Sequence, residues 1–262
     1  MFTIMHSNRQ KMKPSLSIII ITKNNADTIE RCLQSVQWAN EIIVLDSGST
    51  DLTLSLCRQY TDRVFQTDWP GFGLQKNRAL EEATGEWVYS IDSDEWMSDA
   101  LCEEIKRVIS NPTATVFRQP RLNQYCNQWM HYGDVGKDKV TRLFKRGSAR
   151  FSDAIVHESL QTNCVAGKLL SPLMHRAYPS IEELLFRMNK YSSLSAEMRF
   201  KKGKKTNLLR AILSARWIFL RSYFFRLGFL DGKMGYIVAT AAAQSSYYRH
   251  IKLMALYSGN QA

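Results

Sequence analysis

The chain lacks the patterns that announce several common protein classes. Its five cysteines (Cys32, Cys57, Cys102, Cys126 and Cys164) are scattered, odd in number and form no CxxC pair. That spacing argues against a zinc cluster or a disulfide framework and fits a reducing compartment. No apolar run approaches the roughly 20 residues that a membrane-spanning helix needs. Met1–Lys13 is too polar for a secretory signal. There is no internal repeat and no low-complexity segment. The first apolar run is followed by TKNNAD rather than GxGxxG, which speaks against a nicotinamide dinucleotide site.

Acidic residues are nearly missing from the last quarter. The 262 residues hold 35 Lys/Arg and 24 Asp/Glu, a net charge of +11, but from Arg199 onward twelve cations face one acid, Asp231. The preceding residues carry 23 of each sign and are neutral. Such asymmetry gives the tail a separate task, on anionic lipid or nucleic acid. Within LLRAILSARWIFLRSYFFRLGFL, Arg210, Arg216, Arg221 and Arg226 break the apolar text every five or six residues. They exclude a comfortable spanning helix but suit helices lying in a lipid interface, with Trp217, Phe219, Tyr223, Phe224 and Phe225 entering lipid. A helical hairpin packed on the protein, its arginines solvated, is the competing reading. Nucleic acid ranks below lipid, because the aromatics cluster with apolar residues and no recognised module is present.

What is present at the start is an alternation of buried strands and helices. LSIIII (16–21), EIIVLD (41–46), Arg63–Gln66 and WVYSI (87–91) read as strands. Helices fall between them: one carries Ile29, Leu33 and Val36 at helical spacing behind an Asp27/Glu30 capping box, and another covers Leu74–Ala83. This βαβαβαβ order implies an α/β domain with a mostly parallel sheet, in which ligands bind at the carboxyl ends of the strands. The polar clusters Thr22–Asn25, Asp46–Asp51 and Asp92–Glu95 all fall at those ends and should converge on one crevice. Beyond Thr115, short strand-like pieces (Thr115–Arg118, Val140–Phe144, Ile155–Leu160) alternate with polar, aromatic loops. A helix then starts behind Ser180 and Glu183. The stretch Asn123–Tyr132 reads either as a sugar-stacking loop or as a loop packed by Tyr125 and Trp129.

Asp92-Ser93-Asp94-Glu95 is the most chemical of these clusters. Carboxylates grouped in a short loop bind hard divalent cations, which can share their sphere with a phosphate. Equally, the string could be an acidic turn before a helix near Ser98.

Three stretches in register, IIIITKNNADTIERCLQSV, EIIVLDSGSTD and GFGLQKNRALEEATGEWVYSIDSDE, resemble the family 2 glycosyltransferases over roughly residues 15–100. The resemblance implies a GT-A, Rossmann-like domain over 14–180, followed by a basic helical, membrane-associating extension over 181–262. It implies an inverting transfer from a UDP-sugar with Mg²⁺ or Mn²⁺ as cofactor, the metal stabilising the charge of the leaving diphosphate. Asp46 matches the residue that binds uracil, where a carboxylate can accept the imide N–H that cytosine lacks; Ser47 replaces a second Asp frequent in the family. Thr22, Lys23 and Asn25 line the same donor site. Asp94 matches the main metal ligand and Asp92 the residue nearer the donor ribose or sugar. Lys76 and Arg78 meet the diphosphate or lie on a solvated helix face, and Asn77 stabilises the loop. His175 completes the metal shell or is structural.

An inverting displacement needs a base for the acceptor hydroxyl. Glu158 is preferred to Asp153, with His157 orienting Glu158, touching donor phosphate or serving structure alone. The closest subgroup is the bacterial lipopolysaccharide core transferases that add β-linked glucose from UDP-glucose to inner-core heptose. That implies an acceptor on lipid, a lipopolysaccharide core or a polyprenyl phosphate, at the cytoplasmic face of the inner membrane. A catalytically silent nucleotide- or membrane-binding scaffold is the rival from another class, and the set Asp46, Asp92, Asp94 and Glu158 speaks against it.

Overall fold

The computed structural model describes residues 14–152 and 159–259. In chain order its strands and helices begin β1 (Leu16–Thr22), α1 (Ile29–Val36), β2 (Glu41–Asp46), α2 (Thr53–Cys57), β3 (Val64–Gln66), α3 (Phe72–Glu81), β4 (Trp87–Asp92), β5 (Glu95–Met97) and α4 (Asp99–Ser110). They continue with β6 (Val116–Tyr125), β7 (Gln128–Met130), β8 (Lys139–Lys145), β9 (Arg150–Phe151), β10 (Leu160–Gln161), β11 (Gly167–Lys168) and β12 (Leu173–Tyr178). Three long helices close the chain: α5 (Ile181–Lys201), α6 (Leu208–Leu220) and α7 (Gly232–Gly259).

Two compact units form, one from residues up to Gln119 with Thr141–Ser171, the other from Pro120–Val140 with Pro172–Ala262. This grouping departs from the boundary expected at residue 180. The reason is pairing: β12 runs parallel to the second half of β6, Leu173 opposite Arg121 and His175 opposite Asn123, and α5 follows it directly.

In the first unit the strands lie in the order β3-β2-β1-β4-β8-β6. β1 is parallel to both β2 and β4, while β8 returns antiparallel to β4. Every residue of β1 is buried, as expected of a strand covered on both faces. The Ile/Val/Leu text of β1 and β2 packs with Ala79, Ala83, Val88 and Phe144 in one core. Register then positions the site, because Thr22 lies opposite Asp46 and Ile21 opposite Asp92. The three polar clusters therefore leave the sheet side by side. The cap of α1 differs from expectation: Thr28, not Asp27, precedes the helix, and the Asn25 carbonyl takes the Thr28 and Ile29 N–H groups. Ser98 caps α4 by accepting from the Leu101 N–H.

In the second unit, β6 and β7 form a hairpin through Cys126 and Asn127, both at positive φ, the conformation of a tight two-residue turn. Asn123–Tyr132 is thus largely hairpin rather than loop, and Tyr125 is buried against Tyr178 with ring centroids 4.9 Å apart. The Ser180 hydroxyl accepts from Glu183 N–H and starts α5 as expected. α7 packs on both α5 and α6. No helix among the described residues is long and apolar enough to cross a membrane.

Gly235 lies in α7 where an added Cβ would overlap the Gly228 carbonyl oxygen. Alanine normally favours a helix interior over glycine by about 1 kcal/mol. Here Gly235→Ala should instead destabilise by about 1–3 kcal/mol, measured by chemical unfolding; a more stable variant would mean the close approach does not form.

Candidate active site

The turn after β4 is organised by charge. Asp92 ends the strand with one carboxylate oxygen 2.9 Å from Lys76 Nζ and the other 2.5 Å from an Arg142 guanidinium nitrogen. Glu95, fully buried, takes a second bond from Arg142 at 2.7 Å and accepts the Asp92 N–H at 3.0 Å. Lys76 comes from α3 and Arg142 from β8, and both are buried. Two carboxylates three residues apart are thereby matched by two cations. Burial by itself would push the Asp92 carboxyl up, yet Arg142 and Lys76 hold it well below the usual carboxylate range. Burial likewise pulls Arg142 down, and Asp92 and Glu95 more than offset that, raising it well above its ordinary value.

The other strand ends are tied to this turn. The Asn25 side-chain oxygen accepts from the Ser93 hydroxyl at 2.9 Å and, each at 3.4 Å, from the Thr22 hydroxyl and the Lys23 N–H. Asn24, at φ 52°, exchanges bonds with the loop after β2: its N–H reaches Ser49 and its side chain accepts from Thr50 N–H, each at 2.8 Å. Gln75, fully buried, joins the Ser47 hydroxyl at 3.0 Å to Thr67. Thr22, Lys23, Asn25, Asp46, Ser47, Lys76, Asp92 and Asp94 therefore share one end of one sheet, as their sequence positions implied.

Several roles differ from expectation. Asp46 is fully buried; one carboxylate oxygen accepts the Gly48 and Ser49 N–H groups, both at 2.9 Å, and the other takes the Ser49 hydroxyl. Asp46 shapes the loop after β2, and a direct bond from the oxygen that takes the Ser49 hydroxyl to a base would require Ser49 to give way. Lys76 is neither solvated nor turned outward, because Asp92 holds it inside. Arg78 pairs with Asp68 at 2.7 Å. Asn77, expected to stabilise the loop, exchanges two 2.9 Å bonds with the backbone of Phe151 in strand β9. Beyond β9, Ser152 and Ser159 bond to each other at 2.9 and 3.0 Å. Asp153, His157 and Glu158, the expected base and its neighbours, lie outside the described residues.

For a metal the donor set is small. No group of three or more His, Cys, Asp or Glu residues fit to hold an ion occurs among the described residues. Both Asp92 oxygens already face cations, so Asp92 does not suit a metal ligand in this arrangement. Asp94 is partly exposed at the turn. A divalent ion that takes one or two carboxylates and completes its shell with phosphate oxygens and water fits Asp94. His175 belongs to the second unit, where its Nδ1 lies 2.7 Å from the Asn123 side-chain oxygen. That contact holds the ring, and His175 forms no three-ligand group there. Arg142 and Gln75 are the organising residues that sequence reasoning missed, and Glu95, read there only as part of the acidic cluster, is the carboxylate that Arg142 ties to Asp92.

Arg142→Met would remove the guanidinium that pairs with buried Glu95 and with Asp92, at a cost of about 3–5 kcal/mol. The pH dependence follows in sign. With the Asp92 pKa depressed below its ordinary 3.8, its contribution is complete above that pH and is lost only as pH falls through the depressed value. Removing Arg142 raises the folded-state pKa, so acid unfolding followed by circular dichroism should move to higher pH in the variant. An unshifted acid midpoint would show that Arg142 does not hold Asp92 ionised.

The sequence comparisons agree with this geometry. Residues 17–162, more than half of the chain, match the family model described as glycosyl transferase family 2. The lipopolysaccharide core biosynthesis glycosyltransferase LpsC of Rhizobium meliloti (strain 1021) is 30% identical, over 91% of this chain and 94% of that protein. An uncharacterized glycosyltransferase of Rickettsia prowazekii (strain Madrid E) is 31% identical over 91% and 86%. Among solved structures, S. aureus TarS 1-349 in complex with UDP gives a TM-score of 0.48 at 17% identity, covering 94% of this chain and 92% of that one. Glucosyl-3-phosphoglycerate synthase from Mycobacterium tuberculosis, in complex with Mg²⁺ and UDP, gives 0.36 at 24% over 42% and 44%. The assignment rests on the sequence matches: the chain belongs to glycosyltransferase family 2 and is a GT-A-type glycosyltransferase.

Proposed function

We propose that the protein transfers glucose from UDP-glucose, with inversion, onto a heptose of a lipopolysaccharide inner core presented at the cytoplasmic face of the inner membrane. The observation that carries the donor half is the register that sets Thr22, Asp46 and Asp92 at adjoining strand ends. The acceptor half is supported by the similarity to a lipopolysaccharide core transferase along nearly the whole chain.

In this reading the loop after β2, shaped by Asp46, and the Thr22–Asn25 turn receive the nucleoside. Asp92 stays ionised between Lys76 and Arg142 and presents its edge to the donor ribose or sugar. Asp94 would hold Mg²⁺ or Mn²⁺, which supplies positive charge to the diphosphate as it leaves. The acceptor hydroxyl attacks the anomeric carbon while the bond to the diphosphate breaks, and a carboxylate takes the hydroxyl proton. Glu158 is the proposed base, ahead of Asp153, with His157 beside it. A polyprenyl-phosphate acceptor or another UDP-sugar would use the same donor site.

Isothermal titration with UDP, with and without Mn²⁺ and beside CDP and GDP, should show metal-dependent binding selective for UDP. No binding of any nucleotide would leave a scaffold rather than an enzyme. Asp94→Asn should lower turnover of UDP-glucose with a lipopolysaccharide-core acceptor by at least ~100-fold, in the range that loss of one charge-stabilising group produces, while the unfolding free energy changes by less than about 0.5 kcal/mol. Near-normal turnover would remove the metal assignment.

A further inference from the structure

The cationic tail shows no negative charge because its one acid is folded away. Asp231, the sole acid from Arg199 onward, is buried, and its carboxylate accepts the backbone N–H groups of His131 and Tyr132 at 3.2 and 2.9 Å. Asp134 likewise binds Arg221 at 2.6 Å and Arg226 at 2.7 Å. What remains outward is positive: Lys201, Lys202, Lys204, Lys205, Arg210, Arg216 and Lys233 are all exposed.

Between these cations lies an apolar stripe. Leu209, Leu213, Trp217, Leu220 and Phe224 follow one another at intervals of four or three residues, and they are 64%, 54%, 55%, 43% and 51% exposed. The other side of α6 is covered, with Ala211 fully buried and the Ser214 hydroxyl 2.8 Å from that of Ser246 in α7. The next residues extend the exposed set: Phe225 is 68% exposed, and Leu227, held at φ 60°, turns its side chain out. On a helix of about 3.6 residues per turn, Arg210 and Arg216 fall roughly 60° to either side of the stripe's centre. A soluble monomer rarely shows a continuous apolar surface of this kind.

The geometry points to one occupant. We propose that α6 and residues 221–230 form the face by which this protein lies on an anionic lipid surface. Leu213, Trp217, Phe224 and Phe225 enter the boundary between head groups and acyl chains, and Arg210 and Arg216 meet lipid phosphates. Charge complementarity selects lipid: a second copy would bring like charges together around the same stripe, and nucleic acid gains nothing from exposed leucines. The face is also rigid. The Gly133 N–H bonds to the Arg226 carbonyl at 2.9 Å, so residues 131–134 are fastened to the same segment by Asp134, Asp231 and the backbone. This inference deepens the proposed membrane-borne acceptor, but it can be tested without any sugar transfer.

The test is co-sedimentation of the full-length protein with phosphatidylglycerol/phosphatidylcholine vesicles and with phosphatidylcholine vesicles alone. Binding should be at least tenfold stronger to the anionic vesicles. Leu213→Asp with Trp217→Asp should reduce it at least tenfold, and Arg210→Glu with Arg216→Glu should remove the preference for anionic lipid. All four positions are exposed, so circular dichroism melting and UDP titration of the same preparations should match the unsubstituted protein. Retained binding in the Leu213/Trp217 variant would overturn the proposal, as would equal affinity for neutral vesicles. A dimer in sedimentation velocity that Trp217→Asp dissolves, without vesicle binding, would assign the face to a second copy. UDP binding that fails while vesicle binding succeeds would instead count against the proposed transferase reaction.

Discussion

The site depends on one compensation of charge, the matching of Asp92 and Glu95 by Lys76 and Arg142. Taking a carboxylate or an ammonium out of water costs several kcal/mol per ion, and only close opposite charge with satisfied hydrogen bonds repays it. Here two carboxylates leave a strand three residues apart, and Arg142 bridges them. The bridge fixes the end of β4 to β8, while Lys76 fixes it to α3. The turn bearing Asp94 is therefore held from two sides by elements distant in the chain. These four charges balance one another beside Asp94. A divalent ion and a diphosphate arriving together would meet a small, pre-shaped site instead of a field of loose acids.

This arrangement explains which parts of the molecule were legible in the sequence. β1, β2 and β4 were readable because strands buried on both faces are written as continuous apolar runs. Their polar ends were readable because each follows its strand immediately. Thr22, Asp46 and Asp92 are neighbours for no reason beyond parallel pairing. Arg142 was not readable, since its partners lie 50 and 47 residues away across the antiparallel pairing of β4 and β8. Within RLFKR nothing local separates a buried, doubly bonded arginine from a solvated one. The same reason hid Lys76, whose place on a helix suggested solvent or phosphate until the position of Asp92 was known. Asp46 failed in the opposite way: its residue type suited a base contact, but the glycine and serine of its own turn supply donors that satisfy it first.

The expected strand at Thr115–Arg118, in the first unit, continues into the second as far as Tyr125 through Pro120 and a polar run, text that carries neither an alternation nor an apolar signal. What makes it a strand is β7 on one side and β12 on the other. Its turn at Cys126-Asn127 lacks the glycine that would have announced a hairpin. Tertiary pairing overrides local preference here, and this is why the contacts gather residues 120–140 with the helices and do not divide the chain at residue 180.

The charge asymmetry of the sequence becomes an asymmetry in space by the same logic of satisfaction. A buried carboxylate must find donors, and Asp231 finds them in the backbone of residues 131–132. Asp134 finds Arg221 and Arg226. Each acid therefore stabilises the fold of the second unit, Asp231 from the interior and Asp134, partly exposed, by pairing with its two arginines. Had either acid faced outward along α6, it would have offset the positive charge of the exposed Arg210 and Arg216. Stability and surface charge are thus set by the same two residues. A change at Asp134 or Asp231 would alter the anchoring of residues 131–134 and the outward charge together, whereas a change at Leu213 or Trp217 would alter the apolar stripe alone.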